Sequence, residues 1–361
     1  MSRGILGRKA FKGRGALSNP TGRFEPTGIE AVDDGWYVEE QPQSIATTLE
    51  PDRARAIISK NDSPDIPFEQ SINPYRGCSH GCVYCYARPS HSYMGLSAGL
   101  DFETRLFYKA DAAKVLEEEL ARPGYVCKPI TLGANTDPYQ PDERKMKVTR
   151  SIVEVLARTR HPLSIITKGA LILRDLDLLT DLAQDHLITV AVSITTLDND
   201  TKRVMEPRAA SPQARLRTVR ELNEAGVPAG VMVAPVVPAI TDHEMEAILE
   251  AASEAGARWA AYVLLRLPYE IKDLFREWLT EHFPDRAAHV MALIRAMRGG
   301  RDNDPNFGSR MRGMGPIAEL LRNRFKIASR RLGLDSSRHY ATDTTLFRPP
   351  GPAGAQIKMD F

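Results

Sequence analysis

Three of the four cysteines in this 361-residue chain, Cys78, Cys82 and Cys85, fall within the stretch NPYRGCSHGCVYCYARPSH, from Asn73 to His91. Thiols spaced C-x3-C-x2-C have three chemical uses. One is zinc, which asks for four ligands, usually in two C-x2-4-C pairs. His80, His91 or Cys127 would have to complete that set, and no second pair exists. The second is an inert buried cluster, although Gly77, Ser79, Gly81 and Tyr84 make this a glycine-rich loop that does not look like core. The third is a [4Fe–4S] cluster held by three thiolates where four are usual. Its fourth iron would stay open to an outside ligand, as a catalytic metal keeps a free position. Small residues would let the loop wrap such a cluster and bond its sulfides through backbone N–H groups.

The rest of the chain must position that loop. A length of 361 residues suggests one large domain with added segments. A formal charge of +2 is too small to imply nucleic acid by itself. The longest apolar run, from Gly226 to Ile240, is short and contains three prolines, so no membrane span is expected. The N-terminus lacks the apolar region of a secretory signal. Clustered cysteines in a chain otherwise poor in them fit a reducing cytoplasm.

Residues 1–66 read as a lead-in. Six basic residues precede Glu25 (Arg3, Arg8, Lys9, Lys12, Arg14 and Arg23), with no acid among them. They suit a flexible solvated arm or a basic arm touching phosphates. Over residues 67–268, short apolar runs alternate with helical stretches. Strands are predicted at EQSINPY, PITLGA, LSIITK, LITVAVSI, VMVAPVV and WAAYVLL, with helices between them. Gly226 and Gly256 stand just past two helix ends as stop signals. Six β-α units with apolar strands imply a parallel α/β sheet. No glycine-rich dinucleotide fingerprint follows the first strand, and the cysteine loop stands there instead. That favours a partial (β/α)6 barrel with its site at the strands' carboxyl ends. Residues 269–335 read as a helical basic extension, and 336–361 as a flexible tail.

C-x3-C-x2-C with Tyr84 just before the third cysteine, after the first strand of such a repeat, resembles the radical S-adenosylmethionine (SAM) superfamily. The resemblance implies a [4Fe–4S] cluster on Cys78, Cys82 and Cys85 whose open iron binds the amino and carboxylate groups of SAM. It also implies reductive cleavage of SAM to methionine and a 5′-deoxyadenosyl radical, and an electron donor such as flavodoxin or ferredoxin. SAM would then lie across the strand ends. Asn135 and Asp137 are candidates for its ammonium, or members of a plain turn. Lys168 is a candidate for its carboxylate or for an anionic substrate. Ser193 and Thr195 suit the ribose, and Glu206 and Arg208, with Arg215 near, are further candidate contacts. Arg266 points toward a substrate mouth or pairs with an acid.

Further stretches, among them NTDPYQP, SITTLD, EPRAASPQARL and APVVPAITDHE, resemble the spore photoproduct lyase-like group over residues 67–330. That resemblance implies a lyase or repair reaction on a nucleic-acid lesion. Its expected hydrogen-donating cysteine near the end of the second strand is replaced here by Asn135, and Cys127 lies toward that strand's start and reads as core. Tyr84, Tyr86 or Tyr139 could donate instead, with Tyr84 and Tyr139 as the catalytic candidates. The basic stretch Arg298–Arg331, interleaved with Phe307 and Phe325, could follow a phosphate backbone and stack a base. The last residues, Gln356 to Phe361, resemble a sliding-clamp-binding peptide. Two alternatives stay open: the same chemistry on a peptide or small molecule, and a clamp-tethered DNA-binding iron–sulfur protein without turnover.

Overall fold

A computed structural model describes residues 10–25, 44–334 and 342–351. In chain order its strands are β1 (Thr48–Pro51), β2 (Ile58–Lys60), β3 (Gln70–Ile72), β4 (Tyr75–Arg76) and β5 (Arg105–Tyr108). They continue with β6 (Ile130–Leu132), β7 (Leu163–Thr167), β8 (Ile188–Ser193), β9 (Ala229–Val236) and β10 (Ala260–Leu264). Strands β3, β6, β7, β8, β9 and β10 are parallel and lie side by side in that order. β2 runs antiparallel along the outer edge of β3. β10 and β2 form the two edges, so the sheet is an open, partial barrel.

The helices lie where hydrophobic periodicity predicted them. Val148–Arg158 buries Val148, Ile152, Val153, Val155 and Leu156 against the sheet. Pro212–Glu224 starts from Ser211, whose Oγ accepts the N–H of Ala214 at 3.2 Å. Gly226 and Gly256 end their helices with φ of +84° and +81°, a conformation that suits glycine. The helix Gly315–Arg331 places Ala318, Leu321 and Phe325 in one core with Val231, Ala260 and Leu264. It serves as the covering helix of β10 and completes the sixth unit. Among the described residues, no helix is long and apolar enough to cross a membrane.

Several expected boundaries dissolve in this packing. A cut at residue 66 would split the β2–β3 pair, and Ile57 shares a core with Ile72 and Ile130. A cut at 268 would separate Phe275 and Trp278, on the helix Ile271–His282, from Cys82, Val83 and Tyr84, with which they pack. The expectation of a solvated arm is corrected at Arg14 to Ser18, which are all buried. Arg14 sheds water there because the carbonyl of Glu103 and the Thr47 hydroxyl accept its N–H groups, at 3.0 and 2.9 Å. The tail is anchored at residues 342–351: Phe347 packs on Tyr125 and His161 with centroids at 5.4 and 5.2 Å. Gln356–Phe361, the candidate clamp peptide, lies outside the described residues.

Candidate functional site

The cysteine loop leaves β3 through β4 and crosses the carboxyl ends of the parallel strands. Gly77 and Gly81 turn it with φ of +77° and +70°. There is no room for a side chain at either turn: a Cβ on Gly77 would come within 2.6 Å of Leu106, and one on Gly81 within 2.6 Å of Glu103. Cys78 and Cys82 are buried, and Cys85 is partly exposed. Burial pushes the Cys82 thiol up to about 12 and also raises Cys78 and Cys85, with nearby carboxylates and the other thiols adding to the rise. Three thiols gathered in such a place ionise readily only with a cation to bind them.

Among the described residues, no three His, Cys, Asp or Glu side chains converge on a single metal ion. A zinc ion would draw its sulfur ligands to about 2.3 Å from one point. A cube binds each thiolate through a different iron, so its ligands stand further apart. The zinc reading also lacks a fourth ligand. His80 Nδ1 faces Asp137 at 3.3 Å and His91 Nε2 the Arg105 carbonyl at 3.0 Å, and among the described residues neither histidine joins the thiols in a group of three metal-binding side chains. Cys127 precedes β6, toward the opposite end of the barrel from the loop, and is half-buried where full burial was expected. The buried Ser79 Oγ has no protein partner. Donor type, spacing and this unpaired hydroxyl fit an iron–sulfur cube.

The second parallel strand clasps the loop. Asn73 Oδ1 accepts the N–H of Asn135 at 2.8 Å, and Gln140 Oε1 accepts the N–H of Ser79 at 2.8 Å. Asp137 accepts from Thr167 Oγ1 and the Lys168 N–H at 2.6 Å each, and from the Tyr139 N–H at 2.9 Å, besides facing His80. Burial alone would raise its carboxyl, but His80 and these donors outweigh that and hold it at about 2. Four partners fill the lone-pair sites of a carboxylate. Asp137 is therefore a clasp between β6, β7 and the loop, and the expectation that it offers a vacant acceptor to an ammonium is corrected.

A second knot forms behind Tyr84. Glu206, fully buried, accepts from the Tyr84 hydroxyl, from Thr195 Oγ1 at 2.7 Å and from the Arg215 guanidinium. Arg215 also donates to the carbonyls of Ser193 and Ala210, at 3.0 and 2.9 Å. Burial would raise Glu206, yet Arg215 and Lys168 hold it at about 2. Thr195 and Glu206 thus brace Tyr84 beside the cysteines, with Ser193 alongside through its carbonyl. Arg208 turns away: its N–H donates to the His80 carbonyl at 3.1 Å and its guanidinium to Thr47 at 3.2 Å.

Tyr139, expected as a candidate hydrogen donor, is buried in the main core with its hydroxyl beside Asp175. Gly169 packs flat on its carbonyl, where a Cβ would stand 2.3 Å away. Tyr86 is half-exposed at the mouth, with its hydroxyl on the Ala134 carbonyl and the Arg266 guanidinium 5.8 Å from its ring centre. Arg266 makes no ion pair among the described residues, and its Nε is buried without a partner. Lys168 Nζ stands 5.9 Å from the Tyr84 ring centre and makes no hydrogen bond among the described residues.

Part of the basic C-terminal stretch is committed to protein partners. Arg310 pairs with Asp65, Arg324 with Glu246 and Arg331 with Glu250. Buried Arg298 donates to the carbonyls of Leu265, Ser309 and Arg310. Phe325 packs on Tyr262 in the core, with centroids at 4.7 Å, and cannot stack a base. Phe307 remains exposed, with the Arg310 guanidinium 4.6 Å from its ring centre.

Comparison with known proteins agrees with this geometry. Residues 72–252 match the family described as the Radical SAM superfamily. An uncharacterised protein of Mycobacterium tuberculosis is 39% identical over 257 residues, which cover 70% of this chain and 76% of that protein. An uncharacterised protein of Methanocaldococcus jannaschii is 28% identical over 195 residues, covering 53% of this chain and 69% of its own length. Among solved structures, a cysteine-to-serine mutant of spore photoproduct lyase superposes with a TM-score of 0.57 at 16% identity, over 79% of each chain. A further mutant of that lyase, with bound AdoMet and dinucleoside spore photoproduct, gives 0.56 at 16% identity, over 79% of this chain and 78% of that one. At such identity the likeness is one of fold.

Proposed function

This chain belongs to the radical SAM superfamily, and we propose that it carries out a lyase or repair-type reaction on nucleic acid. The observation that carries the proposal is that one end of a partial barrel gathers, on one loop, two buried thiols and a partly exposed third, beside an ammonium with no protein anion bonded to it. When bound, a [4Fe–4S] cluster and SAM supply a one-electron cleavage that yields a carbon radical able to take hydrogen from a substrate.

The chain's own residues then have separable tasks. Cys78, Cys82 and Cys85 hold the cluster. Lys168 binds the SAM carboxylate as a point charge, and Asn135, half-buried after β6, offers its side-chain carbonyl to the ammonium. Thr195, Glu206 and Arg215 fix the Tyr84 ring beside the cysteines. Tyr86, at the mouth, would return a hydrogen atom to the substrate radical and become a tyrosyl radical, restored by an electron from the external donor and a proton from solvent; a cysteine at the Asn135 position would otherwise perform this task. Arg266 beside it faces an anionic group such as a phosphodiester. The fold likeness to spore photoproduct lyases supports a lesion as substrate.

Anaerobic reconstitution followed by product analysis tests this reading. Wild type should bind iron and release 5′-deoxyadenosine with a strong reductant, and faster with lesion-bearing than with undamaged DNA. Cys82→Ala should lose the visible absorbance and all SAM cleavage. Zinc without iron after oxygen-free purification would overturn the reading. Turnover indifferent to DNA at every salt concentration would shift the substrate to a peptide or small molecule, because phosphate contacts weaken steeply with salt.

A further inference from the structure

The back of the cysteine loop is built with as much care as its front. Arg88 is fully buried three residues after Cys85. Its five N–H groups all find acceptors. They are the carbonyls of Cys82 at 2.9 Å, Gly81 at 3.2 Å, Ala98 at 3.1 Å and Gly99 at 2.8 Å, and Glu103 Oε1 at 2.5 Å. Glu103 is itself fully buried, and its second role is to receive the N-terminal segment. The N–H of Gly15 donates to Oε2 at 3.0 Å and that of Ala16 to Oε1 at 2.8 Å.

That segment lies flat on the loop. A Cβ on Gly15 would stand 1.9 Å from the Gly81 carbonyl oxygen, so backbone meets backbone with no space between them. At its far end Ser18 Oγ donates to Glu277 on the helix Ile271–His282, at 2.5 Å. Arg14 to Ser18 thus form a strap stretched over the side of the loop away from the thiols, pinned at both ends. A buried ion pair with every donor satisfied stabilises little by itself compared with apolar packing, but it fixes geometry.

Resting on the reading that the three cysteines hold an iron–sulfur cluster, we propose that Arg88, Glu103 and the strap Arg14–Ser18 are positioning residues for that cluster. The pair fixes the carbonyls of Gly81 and Cys82, and with them the directions of the thiols. The strap closes the back of the loop to water and dioxygen. Outer partners of this kind typically matter by about ten- to a hundredfold in metal affinity.

The test uses the full chain as wild type, Gly15→Val and Arg88→Lys. Gly15→Val forces the strap off the loop. Arg88→Lys keeps the charge opposite Glu103 and loses the fork that reaches the four carbonyls. After anaerobic reconstitution, three readouts follow: the rate at which a chelator strips iron, the rate of bleaching in air, and the paramagnetic resonance spectrum of the reduced cluster. Both variants should lose iron to the chelator about tenfold faster or more, bleach several-fold faster and show an altered spectrum, while their metal-free forms keep wild-type circular dichroism. Unchanged iron loss, bleaching and spectrum in both variants would overturn the inference, and so would a metal-free Arg88→Lys chain that cannot fold. A wild type that binds no iron would instead overturn the functional reading beneath it.

Discussion

Lys168 and Tyr84 come from different strand ends and meet face to face, the ammonium 5.9 Å from the ring centre. Lys168 follows β7, and Tyr84 sits in the loop after β3, one residue before Cys85. The ring gives the ammonium a modest attraction, and the Glu206 carboxylate lies within its field. Neither replaces the hydrogen bonds that an ammonium loses on leaving water. The half-buried ammonium is thus uncommitted among the described residues, which is the ground on which the SAM carboxylate is proposed as its partner.

Replacing Lys168 by Met keeps its length and removes its charge. A hydrogen bond to a charged group contributes roughly 1.5–3 kcal/mol. SAM should accordingly bind roughly ten- to a hundredfold more weakly, measured by titration of the reconstituted protein. Iron content should stay at the wild-type level, since Lys168 is not a ligand. Equal SAM affinity in the two proteins would remove Lys168 from the cofactor site.

The knot behind Tyr84 yields a stability prediction. Arg215→Met leaves Glu206 charged, buried and short of its main partner. Breaking a buried pair from one side costs about 3–5 kcal/mol, whereas replacing both partners with apolar groups is often close to neutral. Urea unfolding should show that loss in Arg215→Met and recovery of much of it in the double variant with Glu206→Leu. Equal losses in the single and double variants would mean that Glu206 and Arg215 act independently.

These two cases show what the sequence could and could not convey. The cysteine spacing, the six β-α units and the strand-end position of Lys168 are local patterns, readable from neighbours in the chain. The fates of Asp137 and Glu206 depend on His80, Thr167 and Tyr84, which come from other strand ends, and no local signal separates a free carboxylate from a saturated one. Arg208 and Arg215, seven residues apart, looked alike as sequence, and only packing sends one to Thr47 and the other to Glu206. The strap was hidden most deeply. A Gly-Arg-Gly near a basic N-terminus resembles a solvated linker, and nothing near it announces that Glu103 waits 88 residues on. Arg88 stood inside the quoted cysteine motif, and its place so close to Cys85 was the one signal that could have found it.

His161 carries a pH dependence at the opposite end of the barrel. It is fully buried against Tyr125 and Phe347, and burial lowers it from 6.5 to about 4 despite its bond to the Pro162 carbonyl. Its folded value lies below its unfolded one, so its contribution is fully present above about 6.5 and is lost as pH falls toward about 4. The shift corresponds to a loss on the order of 3 kcal/mol across that window. Denaturant unfolding at pH 7 and pH 4.5 should show a steep fall in wild type and a shallower one in His161→Asn, with the remainder shared by His91 and His282, which burial lowers in the same way, and by the depressed carboxylates of Glu206 and Asp137. Identical slopes would show that His161 is already reached by solvent in the native state.

Phe307 and Phe325 were equal as sequence and are opposite as structure, which gives nucleic-acid recognition a clean test. Phe325 is a core residue, so Phe325→Ala should cost about 3–5 kcal/mol in unfolding free energy. Phe307→Ala removes an exposed ring and should leave stability within about 0.5 kcal/mol of wild type. If single-stranded DNA runs past the Arg310 edge of the barrel, the Phe307 ring is the platform available to a base, and its loss should weaken binding by roughly 1–3 kcal/mol at fixed salt. Arg312, Lys326 and Arg330 remain exposed on the same part of the chain and make no ion pair among the described residues. Replacing each by Gln should lower the salt dependence of binding by about one counterion per contact. A Phe307→Ala protein that binds DNA as wild type does, with the same salt slope, would take the nucleic acid away from this face and leave the mouth at Tyr86 and Arg266 as the place to look for it.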